Sequence, residues 1–318
     1  MWRRLLTRRL LLGVLTLWLV SVVVFAATQA LPGNAAQAIL GKDATPQTLH
    51  ALSEQLHLGQ PVLAQYGHWL GGVLTGDFGT SAATQQSVTA LLAERVANSA
   101  FLVVLASAIA IPLALALGVL MAIRRDRPSD HALSAGTLVL AALPEFVIGI
   151  GLVLLFSTSV FHVLPAVSLL PPGEHAWQHL DVVVLPCATL VLAVTPYISR
   201  IMRGSMIEVL ESDYVTMARL KGMPERTVVW RHAMPNALVP AIQVIALQLG
   251  WMAGGIVVVE FVFSYPGIGA ALVNAVGNRD VPVVQALTLL IAAVYVLVNL
   301  LADVATILVT PKLRTAER

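Results

Sequence analysis

Hydrophobic positions along this chain fall in long unbroken runs separated by short polar intervals. Leu10 to Ala27 is a stretch of 18 residues without a charge. As a helix it measures roughly 27 Å, enough to cross a bilayer core. Five further runs of about 20 or more largely apolar residues follow, at about 99–123, 131–157, 182–202, 237–259 and 283–309. The pattern predicts an all-α polytopic membrane protein with six transmembrane helices. A basic leader carrying Arg3, Arg4, Arg8 and Arg9 precedes the first run. A secretory signal peptide begins the same way, but the run outlasts a signal core and is read as the first span. Residues 1–30 are then leader and helix 1, residues 31–97 an external region, and residues 98–318 a five-helix core.

Composition supports this class. Apolar residues make up 58% of the 318 and charged residues 11%, against about 25% charged in a soluble domain. Mean hydropathy is +0.83. Six spans put both termini on one side, together with the interval 203–236. That side holds sixteen of the 19 Lys and Arg, and only Lys42, Arg95 and Arg279 lie on the other. The positive-inside rule therefore assigns the termini and the interval to the cytoplasm. A single cysteine, Cys187, excludes a disulfide within the chain.

Two polar intervals carry local structure. In the external region, Thr45-Pro46 opens a short helix (Gln47 to Leu56), with turns at Gly59-Gln60-Pro61 and Gly76-Asp77. Tyr66, Trp69, Leu70 and Phe78 supply its apolar contacts. The second interval, from Arg203 to Pro240, reads as two short helices. The first runs from about Met206 to Lys221, with Glu208, Glu211 and Asp213 early and Arg219 and Lys221 in the last turn, as a helix dipole favours. Gly222 takes positive φ at the helix end, and Pro224 starts a second helix that reaches about Met234 and stops before Pro235. The result is a helix–Gly–helix elbow, with a plain solvated loop as the alternative.

The elbow resembles the cytoplasmic "EAA" loop of bacterial ABC-transporter permeases, in the dipeptide/oligopeptide/nickel importer class. The resemblance rests on Asp213, Tyr214, Ala218, Arg219, Lys221 and Gly222, then Arg231, His232, Ala233, Asn236 and Ala237. In the general form of the loop, Ala218, Gly222 and Pro235 match, while Thr216 and Met217 replace Glu and Ala. A second segment resembles the family's Glu-x-x-Phe-x-x-Pro-Gly-x-Gly stretch at Glu260, Phe263, Pro266, Gly267 and Gly269. Asn278, Arg279, Asp280, Pro282, Val283 and Gln285 continue it. Pro266-Gly267 forces a turn, and Ile268 to Val276 forms a short helix at the outer face, an external gate. Leu31–Gly33, Leu56–Pro61, Gln65–Ser81 and Leu91–Ser99 resemble the family's external region.

The resemblance implies the type I ABC importer permease fold. The chain would form half of a pathway for di- or oligopeptides, beside a second homologous permease, in the bacterial inner membrane. An external solute-binding protein would deliver cargo. Two ABC ATPase subunits would bind ATP and Mg, and this chain would hold no cofactor. Asp213, Tyr214, Ala218, Arg219, Lys221, Gly222 and Pro235 would couple to an ATPase. Nickel, a metal chelate or glutathione are alternative cargoes.

The residues themselves offer no catalytic set. The one Gly-Lys pair, Gly41-Lys42, is followed by Asp43, and Ala36 stands where a phosphate loop needs Gly. His175 and His179 lie four apart in a loop without helical pattern, so no metal site is expected. Polar residues within spans are expensive and often functional. Glu145 follows Pro144, which kinks span three, and with Gln243 and Gln248 it is a candidate for the substrate pathway. Asn299 and Asp303 are read as inter-helix partners, and Gly250-x-x-x-Gly254-Gly255 as a close-contact face. Pro196 kinks span four. A secondary transporter, which would show inverted repeats and broken helices, is the distant alternative. An embedded enzyme would need a nucleophile–base or metal set, and none is apparent.

Overall fold

The apolar runs become helices whose ends are set by proline, glycine and polar caps. The computed structural model describes residues 2–30, 45–47, 50, 60–171 and 173–309. In chain order the helices are α1 (Trp2–Gln29), α2 (Val62–Thr75), α3 (Val88–Ile123), α4 (Pro128–Ala142), α5 (Glu145–Val153), α6 (Leu180–Leu210), α7 (Asp213–Leu220), α8 (Met234–Val262), α9 (Ile268–Gly277) and α10 (Val281–Val309). Five helical stretches are long and apolar enough to cross a membrane, and the bent pair α4–α5 is a sixth candidate. The expected helix Gln47–Leu56 and the segment Leu31–Gly33 fall largely outside the described residues.

Span three departs from expectation. A kinked helix over 131–157 was predicted, but α4 and α5 meet at 105°. Leu143 is extended (φ −89°, ψ 131°) and Pro144 precedes α5 at ψ 147°. A residue before proline is pushed out of the helical region, so the chain breaks there instead of bending. The piece after the break ends in a wide π-type turn, Leu154–Thr158.

The chain divides into two compact units. One comprises residues 100–265 with the end of α10 from Leu297. Its centre is α6: 72% of the apolar window of that helix is buried, against 33% or less in the other long spans. Leu102, Ala106, Ala110 and Ala114 line one face of α3 and pack with Leu190, Val194 and Ile198 of α6 and Met252, Ile256 and Val259 of α8. Small residues let helices approach closely, and in lipid such packing replaces the hydrophobic drive. Gly118 is the tightest point. A Cβ there would lie 2.6 Å from Met202 Cβ and 2.7 Å from the Ser199 carbonyl.

The other unit comprises residues 2–99 and 266–296. Val88 and Leu92 pack with Ile268, Ala271 and Ala275 of α9 and Val283 and Leu287 of α10. Phe78 joins this cluster. Tyr66 and Trp69 of α2 meet Phe25 of α1, with ring centroids 5.4 and 5.5 Å away. Tyr66, Trp69 and Phe78, expected to pack within the region after span one, thus pack against α1 and against the cluster of α3, α9 and α10.

Candidate functional site

The elbow begins later than its charges suggest. Span α6 runs on to Leu210, and the break falls at Glu211-Ser212, so the helix expected from Met206 is two helices. Ser212 is extended (ψ 152°), with Asp213 in the first turn of α7. Asp in the first turn suits a helix start, while the Ser212 hydroxyl makes no cap bond to α7 and instead donates back to the Val209 carbonyl. The far end of α7 follows the sequence reading. Gly222 has φ 74°. Its N–H bonds the Arg219 carbonyl at 2.9 Å, and the Met223 N–H bonds the Ala218 carbonyl at 3.3 Å. This pair of bonds is the Schellman closure.

The return segment also differs from expectation. A helical turn at Glu225–Thr227 passes into a π-type stretch, Val228–Ala233, and on into α8 without a stop. Pro235 therefore sits near the start of a long helix instead of ending a short one. The wider π turn lies where a proline would otherwise leave an unmatched carbonyl one turn back.

The motif residues mostly hold this shape. Ala218 is buried with Val215, Val228, Val229, Ala233 and Ala237 against Met202 and Met206, so it is a packing residue and not part of an exposed face. Asn236 Nδ2 donates to Tyr214 Oη at 2.8 Å, and Tyr214 Oη donates to the His232 carbonyl at 3.4 Å. Arg219 donates to Glu225 from Nε at 3.1 Å and Nη2 at 2.7 Å, and from Nη1 to the Leu210 carbonyl at 3.2 Å. The Arg219 hydrogen bond holds the Glu225 carboxyl below its ordinary value. What faces outward is a mixed surface. Met217 (54% exposed), Leu220 (77%) and Trp230 (57%) stand out beside the half-exposed Tyr214. Asp213, Lys221, Gly222, Arg226, Arg231 and Pro235 are exposed around them.

The pathway candidates are spread out. Glu145 opens α5 and is half-buried; on α8, Gln243 is exposed and Gln248 half-buried. No hydrogen bond among the described residues joins the three. The residues expected from the sequence to form a gate are better fixed. Glu260 and Phe263 are fully buried at the end of α8. The Phe263 carbonyl accepts the Ser168 N–H at 2.7 Å, and the Phe263 ring lies 3.2 Å from where a Cβ on Gly149 would stand. In the other unit, Asn98 Nδ2 donates to the Pro266 carbonyl at 3.1 Å and the Ile268 N–H to Ser99 Oγ at 2.9 Å. Gly267 and Gly269 are buried. Asp280 accepts from Ser81 Oγ at 2.5 Å and the Ala82 N–H at 3.0 Å. In the loop before α6, Glu174 pairs with His179. No group of three or more metal-ligating side chains occurs among the described residues.

Sequence reasoning passed over one pair entirely. Asp130, 1% exposed in the first turn of α4, accepts from Arg203 of α6 through Nε at 2.8 Å and Nη2 at 2.7 Å. In the sequence Arg203 is one basic residue among many in its interval, and nothing local to Asp130 points to a partner 73 residues away.

Comparison with known proteins bears on both motif-rich segments. Residues 114–315 match the model of the binding-protein-dependent transport system inner membrane component, and residues 1–116 match its N-terminal counterpart. The chain belongs to this family. It is 36% identical over 307 residues to the glutathione transport system permease protein GsiC of Escherichia coli (strain K12), covering 96% of this chain and 97% of that one. The same protein from Salmonella typhi and from Salmonella choleraesuis (strain SC-B67) aligns at the same identity and coverage. The chain is thus an inner-membrane, multi-pass permease subunit of an ABC importer, and as a permease it is not itself the catalytic component.

Proposed function

We propose that this permease forms half of an import pathway for short peptides, glutathione among them. Glutathione is a tripeptide thiol, so relatives named for its transport favour the peptide class over nickel or a metal chelate. An external solute-binding protein delivers the cargo, and a second, different permease completes the pathway. Both termini and the elbow lie in the cytoplasm, where sixteen of the 19 Lys and Arg then fall. Two ABC ATPases supply the energy and hold ATP and Mg.

The elbow carries this reading. It is held in shape by buried packing, the exposed Arg219–Glu225 pair and the exposed Tyr214–Asn236 bond, while Tyr214, Met217, Leu220 and Trp230 are exposed large apolar side chains. Exposed large apolar groups rimmed by charge mark an interaction surface. Asp213, Arg219, Lys221, Gly222 and Pro235 are exposed beside it, whereas the buried Ala218 supports it from behind. Closure of the ATPases displaces the elbow as one piece, tilts α6 and α8, and switches access, a two-state element biased by a partner. Glu145, Gln243 and Gln248 then contribute to the cargo route, and the Glu260–Gly269 segment to its outer gate.

The test is ATP-dependent uptake by vesicles holding this permease with its partner subunits and binding protein. Labelled glutathione and a dipeptide are offered in parallel with nickel. Accumulation of either peptide that requires ATP supports the proposal. Uptake of nickel alone contradicts the cargo assignment.

A further inference from the structure

We infer that α4, the cytoplasmic half of α6 and the elbow move as one body, and that Asp130 and Arg203 are the positioning residues that tie α4 into it. This inference rests on the coupling role proposed for the elbow. It adds the first half of span three to the moving parts, which otherwise comprise only α6 and α8.

Two attachments fix α4 along α6. In the first turn of α4, the Asp130 carboxylate takes both prongs of the Arg203 guanidinium and also accepts the Asp126 N–H at 3.1 Å and Ser134 Oγ at 3.3 Å. A forked Arg–carboxylate pair fixes direction as well as distance. In the last turn of α4, the Ala141 carbonyl accepts Tyr197 Oη of α6 at 3.2 Å. The elbow is attached to the same stretch of α6. Arg219 holds the Leu210 carbonyl, and Arg125 of the α3–α4 loop pairs with Glu211 where α6 ends. A push on α7 therefore reaches α4 through charged or hydrogen-bonded contacts at each step.

The places where this body can bend lie together. The α4–α5 break at Leu143-Pro144 begins two residues past Ala141, and Pro196 adjoins Tyr197. Beyond the break lies Glu145, the first residue of α5. Motion of the body relative to α5 changes the surroundings of that carboxylate, which links the elbow to the proposed pathway.

The experiment compares Asp130→Asn, Arg203→Lys and the exposed, fold-neutral Tyr197→Phe in vesicles with the partner subunits. The readout is labelled glutathione transported per ATP hydrolysed in complexes that have assembled. Charge-pair variants are expected to lower this ratio about tenfold and Tyr197→Phe about threefold, in the range of couplings carried by packed networks. Asp130→Asn combined with Arg203→Lys should lose little more than either alone, as for two residues acting as a unit. A purely structural role would reduce the amount of assembled complex and leave the ratio at the wild-type value, which would overturn the inference. Wild-type chain that fails to bind ATPases would overturn the coupling proposal along with it.

Discussion

Gly222 separates a conformational requirement from a docking requirement. Its φ of 74° is disfavoured for any residue with a Cβ, yet a Cβ built there meets no atom within 4 Å. Gly222→Ala therefore introduces no clash within the chain. It adds only left-handed strain, about 1–2 kcal/mol, which lowers the population of the closed elbow by about 5–30-fold at most. The two Schellman bonds and the buried cluster around Ala218 resist that shift. Gly222→Asp should be less strained than Ala, because Asp tolerates this region better. On strain alone, Asp is the milder substitution. If an ATPase surface lies against Gly222, Asp is the harsher one, since it adds bulk and a charge at the point of closest approach. The assay is ATP-dependent uptake at matched expression, with ATPase retained on the purified permease as a second measure. The expected order of activity is Gly, then Ala, then Asp, with Asp near background and insertion intact. Asp equal to or above Ala would refute docking at this turn, and normal uptake by Asp would remove the elbow from the mechanism.

Three further outcomes follow from the geometry. Glu225 has a folded pKa below its ordinary 4.5 because Arg219 bonds it; the stabilisation is present above the unfolded value and lost as pH falls through the folded one. Protection of the amides across 213–227, corrected for the intrinsic slowing of exchange, should fall as pH drops through the carboxylate range, and Glu225→Gln should remove that dependence. Gly118→Ala forces a methyl to within 2.6 Å of Met202 Cβ, an overpacking cost of about 1–3 kcal/mol, visible as a lower melting temperature in detergent. Ser81→Ala takes a donor from the buried Asp280 carboxylate and should cost about 1.5–3 kcal/mol, as for hydrogen bonds to charged groups, by the same measurement.

What was legible in the sequence follows from how far apart the deciding residues lie. Apolar run length placed the long helices, because a bilayer imposes one length on every span. Gly222 and Pro266-Gly267 were legible because each decides its own backbone. The break in span three was only half visible: Pro144 announced a disturbance, but a 105° bend depends on what packs around Leu143. The continuous passage from Glu225 to Val262 was missed because proline usually ends a helix, and a π turn leaves no simple signal. Motif residues did not disclose their own orientation: Ala218 is buried, Arg219 is exposed but tied to Glu225 and the Leu210 carbonyl, and the exposed Trp230 belongs to no motif. Contacts such as Ser81–Asp280 and Asp130–Arg203 join residues 199 and 73 positions apart, beyond the reach of any local pattern.

The central claim, import driven by partner ATPases through the elbow, is tested most directly by affinity purification of this chain from native membranes. Co-purifying proteins are identified by mass spectrometry, and uptake is measured after reconstitution. The account predicts recovery of a second permease of this family and an ABC ATPase, with ATP-dependent uptake that Gly222→Asp abolishes. Recovery of the chain alone, with uptake driven by an ion gradient, would contradict it.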